Sequence, residues 1–417
     1  MAGATVERLV SVRALIAEDA IRAVYQPIVE LERGSTVAYE ALVRGPAGSG
    51  LEMPGELFGA AAREGVLAQL DIAAARTAVR GATGADWPGG AALFVNVEPS
   101  SLVGARRPLD EEVDELGVNL VVELTERELA AAPAEVLRAA ARIRSRGWGI
   151  ALDDLGADRR SLALLPFVAP GVMKIDRALV QGRTTRSVAH VVNALAAEAE
   201  RSGAVLLAEG IETEEHVTRA RAFGALLGQG WYFGRPAELP VPTPARMEPL
   251  RLGRGSTPAA EGTPFGVVSE SLGPRVGDKR LLLALSRQLE AEAENLGGEA
   301  VVLATFQEAS FFTPATRERY SALARSSALV GALGVGMSED PAPSVRGGRI
   351  APDDPLRGEW DVVVVSPHFA GAFVARDLGD RGPDLDRRFE FCLSYDREIV
   401  LRAARILLDR VVPAFPR

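Results

Sequence analysis

Glu40-Ala41-Leu42-Val43-Arg44 closes an apolar run that begins at Val37, and the same pattern recurs along the first half of the chain. Asn96 follows Leu93-Phe94-Val95, Glu123 follows Leu120-Val121-Val122, and Asp153-Asp154 follow Ile150-Ala151-Leu152. Lys174 lies within Val172-Met173-Lys174-Ile175-Asp176, Glu209 follows Val205-Leu206-Leu207-Ala208, and Gln229 ends the series. Short apolar runs bounded by polar residues read as buried strands. They fall near 23–29, 37–43, 92–97, 119–124, 149–153, 172–175, 204–209 and 229–233. Helical spacing covers 7–20, 55–81, 128–146, 177–201 and 213–224. Alternating strands and helices predict a parallel sheet, and eight strands predict its closure into a barrel. Only a turn at Arg33-Gly34 separates the first two strands, so the barrel should open with an antiparallel hairpin.

After Pro236 the periodicity stops. Residues 237–277 carry seven prolines among Gly/Ser/Thr clusters and read as a linker. Order resumes at Asp278, a helix N-cap ahead of Leu282, Leu285 and Leu289 on one face. Strand-like runs at 299–304, 328–335, 361–365, 369–375 and 389–393, a helix from Thr313-Pro314 and another over 396–412 define a smaller α/β domain, 278–417. Cys392, in an alternating strand, reads as core.

Strand C-termini are where β/α barrels place their active sites. Converging carboxylates there repel one another and require protons or cations for relief. Carboxylate and amide oxygens suit Mg²⁺ or Mn²⁺. The three histidines, His190, His216 and His368, lie off the strand ends, which argues against a histidine-held zinc or iron; His190 and His216 are expected on solvated helix faces and His368 in a turn. Of 47 basic residues only Lys174 and Lys279 are lysine, so an ammonium kept inside a buried strand stands out in a chain that otherwise uses guanidinium. Each island also has a plain reading. A strand-end acid can cap a helix, Asp153-Asp154 can start a turn, and Glu123 with Thr125 and Glu126 resembles a helix start.

In order and spacing these islands resemble the EAL phosphodiesterase family, which cleaves cyclic di-GMP. The match spans about residues 7–236 and includes Tyr25-Gln26-Pro27-Ile28-Val29, Glu40 to Arg44, Val95-Asn96-Val97, Glu123-Leu124-Thr125-Glu126, Asp153-Asp154, Lys174-Ile175-Asp176, Ala208-Glu209-Gly210-Ile211-Glu212 and Gln229 to Pro236. The resemblance implies a modified (β/α)₈ TIM barrel with an antiparallel first strand. It implies two Mg²⁺ or Mn²⁺ ions, the first held by Glu40, Asn96, Glu123 and Asp153, the second by Asp153, Asp154 and Glu209. It makes Lys174 a contact of the attacking water and scissile phosphate, and Glu209 the group that orients or deprotonates that water. Gln26, Arg44, Asp176, Glu212 and Gln229 would position the nucleotide, and Glu126 would anchor the loop after Asp154. That loop departs from the family's Phe-Gly-x-Gly-x-Ser-Ser-Leu: here Leu155-Gly156-Ala157-Asp158-Arg159-Arg160-Ser161-Leu162 puts Asp158 at the second glycine. Residues 278–417 resemble the DICT sensory domain through Leu285 to Leu289, Ala304-Thr305-Phe306-Gln307 and Arg319 to Ala324.

The expected activity is hydrolysis of cyclic di-GMP to linear 5′-pGpG, regulated by the second domain, which would bind a small ligand or a protein. A nucleotide receptor with weak or absent turnover is the alternative, and a scaffold the third reading. Retention of every acidic island and of Lys174 favours the enzyme. A net charge of −9 argues against binding nucleic-acid polymers or anionic membranes. With no spanning apolar run, no signal-like N-terminus and one cysteine, a cytoplasmic protein without disulfides is expected. The family resemblance implies a homodimer.

Overall fold

A computed structural model describes residues 11–84, 87, 90–103, 119–239, 250, 252, 261–380 and 383–412. Eight strands close a barrel in sequence order: β1 (Arg22–Glu30), β2 (Ser35–Arg44), β3 (Ala92–Asn96), β4 (Asn119–Thr125), β5 (Gly149–Leu155), β6 (Val172–Ile175), β7 (Val205–Ala208) and β8 (Leu227–Gln229). β1 runs antiparallel to both β2 and β8, and the remaining pairs are parallel. The hairpin comes from Gly34, whose φ of 69° places its N–H on Glu30 O at 2.9 Å. β8 ends four residues earlier than the sequence reading, because Gly230 turns the chain. Its φ is 154°, and a Cβ there would lie 2.1 Å from Ile211 O.

Several helices read as continuous are broken, each for a local reason. Residues 55–81 become Pro54–Glu64 and Leu67–Gly84, parted by left-handed Gly65. Residues 128–146 become Glu126–Ala131 and Pro133–Ser145, parted where Pro133 removes an N–H donor. Thr125 caps the first with a full capping box to Glu128, so the helix-start pattern belongs to Thr125 and Glu128, not to Glu123. The first helix spans Val12–Ala17; the remainder of the 7–20 reading before residue 11 lies outside the described residues.

The second unit is a seven-stranded sheet, ordered β12-β11-β10-β13-β14-β15-β9. Its strands are β9 (Arg275–Asp278), β10 (Val301–Glu308), β11 (Leu329–Val335), β12 (Arg346–Arg349), β13 (Glu359–Val365), β14 (Ala370–Asp377) and β15 (Arg388–Ser394). Alternate side chains divide between two cores, as a period of two requires. Val302, Ala304, Val362 and Val364 pack with Leu282 and Leu289 of helix Lys279–Leu296. Val301, Leu303, Val363 and Cys392 join helix Arg397–Leu408 in a core continuous with that of the barrel.

The linker reading of 237–277 is corrected at its end. Helix Pro264–Ser271, capped by Thr263, packs on helix Arg397–Leu408, and β9 pairs with β15, so 264–277 belong to the second sheet. Residues 240–249, 251 and 253–260 of that reading lie outside the described residues. No helix among the described residues is long and apolar enough to cross a membrane.

Candidate metal centre

Strand register sets the site. Glu40 on β2 pairs with Gln26 on β1, Asn96 pairs with Glu123 across β3 and β4, and Ile28 pairs with Gln229 across β1 and β8. β5 bulges between Leu152 and Leu155 against β6, which takes Asp153 and Asp154 out of that ladder at the same rim while Asp153 stays paired with Thr125 of β4. Asp154 has φ 59°, a left-handed conformation that non-glycine residues adopt at a cost.

Lys174, fully buried on β6, stands at the centre. Its Nζ lies 2.7 Å from Glu123 Oε1, 2.8 Å from Glu209 Oε1, 2.9 Å from Asp153 Oδ1 and 3.6 Å from Glu40 Oε2. Asn96 Nδ2 donates to Glu123 Oε2 at 2.8 Å and Glu40 Oε1 at 3.2 Å. Gln229 Nε2 donates to Glu40 Oε2 at 2.6 Å and Gln26 Oε1 at 3.2 Å, and Gln26 Nε2 donates to Gly234 O at 3.1 Å. One connected network therefore joins Gln26, Glu40, Asn96, Glu123, Asp153, Lys174, Glu209 and Gln229. Asp154 adjoins it: Asp153, Asp154 and Glu209 each offer an oxygen within 4.8 Å of the others.

The charges do not balance. One ammonium faces Glu40, Glu123, Asp153 and Glu209, with Asp154 beside them. Burial alone would lower the Lys174 pKa, but Asp153, Glu123, Glu209 and Glu40 reverse this and hold it well above its ordinary value. Burial, then the neighbouring Glu40, pushes Glu123 well up. Burial, then Asp153 and Glu40 against the opposing pull of Lys174, pushes Glu209 up to about 8. Asp154 is raised by burial and then by Asp153. Carboxylates held above their normal range this way take up either protons or divalent cations, and an all-oxygen donor set suits Mg²⁺ or Mn²⁺. Gln229, whose Nε2 belongs to this network, also has a buried Oε1 with no hydrogen-bond partner, a further acceptor at the site.

Three of the expected nucleotide contacts bond outside that network. Arg44 Nη1 donates to Val43 O at 2.8 Å, Asp176 Oδ1 accepts from Ala178 N at 2.7 Å as a helix cap, and exposed Glu212 accepts from Gln181 Nε2 at 3.3 Å. Sequence reading passed over Asp71 and Glu128. They line a 290 Å³ cavity beside Asn96 and Glu123, walled by Leu42 and Phe58. Burial pushes Asp71 to about 7, and burial with the neighbouring Glu98 pushes Glu128 to about 9. Their only sequence signal was an acid within a helical run, which reads as solvated surface.

Glu126 holds the loop after β5. Oε1 accepts from Gly156 N at 3.3 Å, Oε2 from Asp158 N at 3.0 Å, and Ser161 Oγ also donates to Oε1. Gly156 takes the left-handed conformation at φ 107°, whereas Asp158 sits at φ −127° and caps the following 3₁₀ turn by accepting from Arg160 N at 3.0 Å. Position 158 therefore makes no demand for glycine: its extended backbone accepts aspartate without strain. Asp158→Gly should lose rather than gain stability, by about 0.5–1 kcal/mol from a lost cap and added chain entropy. Thermal unfolding with saturating Mn²⁺ reads this, and a rise in Tm would contradict it.

The fold and site define a β/α barrel whose strand ends gather five carboxylates around one lysine. Residues 10–236, just over half the chain, match the family model described as EAL domain, and the chain belongs to that family. Residues 267–378 match the DICT model, described as a sensory domain in diguanylate cyclases and two-component systems. Among curated relatives, the cyclic di-GMP phosphodiesterase RocR of Pseudomonas aeruginosa is 36% identical over 153 residues, 34% of this chain and 38% of that protein. The probable cyclic di-GMP phosphodiesterase PdeB of Escherichia coli is 30% identical over 221 residues, 51% of this chain and 42% of that protein. The chain thus spans less than half the length of each. Among solved structures, the manganese and cyclic di-GMP complex of Klebsiella pneumoniae BlrP1 at pH 9.0 is 28% identical, with a TM-score of 0.48 over 52% of this chain and 56% of that one.

Proposed function

We propose that this chain hydrolyses one phosphodiester bond of cyclic di-GMP, releasing linear 5′-pGpG, with two bound Mg²⁺ or Mn²⁺ ions. The observation that carries the reading is the convergence of Glu40, Glu123, Asp153, Asp154 and Glu209 on one buried ammonium at the strand C-termini. Glu40, Asn96, Glu123 and Asp153 would hold the first ion, and Asp153, Asp154 and Glu209 the second. When bound, the pair would neutralise the phosphate and make water a better nucleophile.

The chain's own residues supply the rest. Lys174, rigid within β6, places a positive charge where negative charge builds on the phosphate oxygens. Glu209 keeps an open edge, with 19% of its side chain exposed, and can accept a proton from an approaching water. Gln26 and Gln229 fix the opposite wall through their mutual bond and their bonds to Gly234 O and Glu40. Arg44, Asp176 and Glu212 at the rim would hold the nucleotide. A cytoplasmic location, a homodimer and control by the second domain accompany this reading.

Purified full-length protein is to be incubated with cyclic di-GMP and Mn²⁺ and the products separated. Linear dinucleotide is expected, with Glu40→Ala reducing its formation by at least ~100-fold, the upper end for a lost outer partner and the least expected for a ligand. Nucleotide binding without turnover in the wild type would refute hydrolysis and favour the receptor reading.

A further inference from the structure

The loop that follows Asp153-Asp154 is held on one side by Glu126, and the second domain contacts both the loop and the helices on either side of it. Arg159, in the 3₁₀ turn Arg159–Leu164, forms an ion pair with Glu299 of the second domain. Glu299 is buried, and its other oxygen lies 2.5 Å from Nε2 of His190 on barrel helix Arg186–Ser202. This corrects the expectation for His190, which faces the second domain and packs edge-on against His368 at 6.3 Å. Beyond the loop, in helix Leu165–Val168, Phe167 O accepts from Arg405 Nη1 at 2.8 Å. From β12, Arg346 donates to Ala130 O at 2.6 Å and Ala131 O at 3.0 Å, closing the C-terminal end of helix Glu126–Ala131. The first residue of that helix is the loop's anchor, Glu126. A cation on terminal carbonyls stabilises a helix end and fixes its position.

These contacts share one consequence. The left-handed backbone at Asp154 persists only while its surroundings over-determine it. Its downstream surroundings are Gly156, Asp158 and Ser161, bound by Glu126, while Glu299 holds Arg159 of the same loop, Arg346 holds the helix that carries Glu126, and Arg405 holds the helix that follows the loop. We propose that Glu299, Arg346 and Arg405 are positioning residues for Asp153 and Asp154, so that the docking of the second domain sets how well those carboxylates hold a divalent cation. The proposal rests on the metal-centre reading above, and it gives the regulatory domain a route to the site that requires no contact with the nucleotide. A buried Glu299 paired on two sides suits such a latch: weakening either partner leaves a desolvated carboxylate that favours undocking.

The test uses full-length wild type, Glu299→Gln and Arg159→Gln, with Arg159→Lys as the charge-keeping rescue. Arg280→Ala, at a surface ion pair with Asp386, is the control. Three quantities are measured: Mn²⁺ affinity without nucleotide, amide exchange across 155–162, and kcat and KM with cyclic di-GMP. Glu299→Gln and Arg159→Gln should each weaken Mn²⁺ binding about three- to tenfold, below the ~10–100-fold cost of losing an outer partner of a ligand directly. Both should exchange faster at 155–162 and lower kcat with KM within about twofold, while Arg159→Lys recovers most of each. Wild-type Mn²⁺ affinity and wild-type exchange in both Gln variants would overturn the proposal. If wild type cleaves no nucleotide but the variants still exchange faster and bind Mn²⁺ more weakly, the phosphodiesterase reading fails and the positioning role stands. If hydrolysis is present and equal in all variants, with exchange unchanged, the reverse holds.

Discussion

Lys174→Met should lower the Tm in EDTA by roughly 6–20 °C, and saturating Mn²⁺ should restore most of that loss. The wild-type ammonium lies within 3 Å of Glu123, Glu209 and Asp153. At an effective dielectric near 20, each of these carboxylates contributes on the order of 5 kcal/mol of attraction when it is ionised. Removing the ammonium from water costs several kcal/mol, so attraction wins, in keeping with the direction of the Lys174 pKa. Methionine is close in size and can fill the space, so packing loss is small and the effect is electrostatic. Breaking a buried ion pair by removing one partner costs about 3–5 kcal/mol, which in a domain of this size corresponds to the Tm range above. A divalent cation restores the missing positive charge, so the Mn²⁺-induced rise in Tm should be larger in the variant than in wild type. Hydrolysis should stay at least ~100-fold down even with Mn²⁺ present, because the phosphate then lacks its fixed cation. Thermal scans in EDTA and in Mn²⁺ read the first part. A variant Tm in EDTA within about 2 °C of wild type would show that protons on Glu123 and Glu209 already relieve the cluster.

How much of this was legible follows from what each signal depends on. The barrel strands could be read because a buried parallel strand is a short apolar run, and polar residues at its end mark where it meets solvent. The hairpin could be read because Arg33-Gly34 leaves no room for a crossover. β12 could not: Arg346-Gly347-Gly348-Arg349 has no apolar alternation. It pairs with β11 through backbone alone, and its glycines are required because a Cβ at Gly347 would lie 1.9 Å from Ser338 O. β9 was hidden likewise, as four mostly exposed residues at a sheet edge directly after Pro274.

The carboxylates of the site were visible because each lies at a strand end, whereas its outer supports were not. Glu299 meets Arg159 across 140 positions and His190 across 109, and nothing near any of the three residues signals the other two. At Asp158 the sequence showed the departure from the family glycine but not its consequence, because the left-handed backbone of this loop lies two residues earlier, at Gly156, where the chain keeps glycine.

Glu209→Gln should reduce hydrolysis about 1,000-fold or more while leaving cyclic di-GMP affinity within about tenfold, because it removes the proton acceptor and one cation oxygen without changing shape. The same variant separates the charge of Glu209 from that of its neighbours through pH. Burial, Asp153 and Glu40 hold the Glu209 carboxyl up at about 8 without a cation, so below that pH it carries a proton. A cation must displace this proton to use the oxygen, and metal binding that releases protons strengthens as pH rises. Wild-type Mn²⁺ affinity should therefore climb between pH 6.5 and about 8 and rise less steeply above it. In that window, one displaced proton gives about a tenfold gain in affinity per pH unit. The slope should fall in Glu209→Gln, whose amide has no proton to lose. It should not vanish, since Glu123 is also held well above its ordinary value. Calorimetric titration of Mn²⁺ at pH 6.5, 7.5 and 8.5 in two buffers of different ionisation heat reads both affinity and protons released. An unchanged slope in the variant would place the displaced proton on Glu123 or Asp154, and Glu209 would then be ionised before any cation arrives.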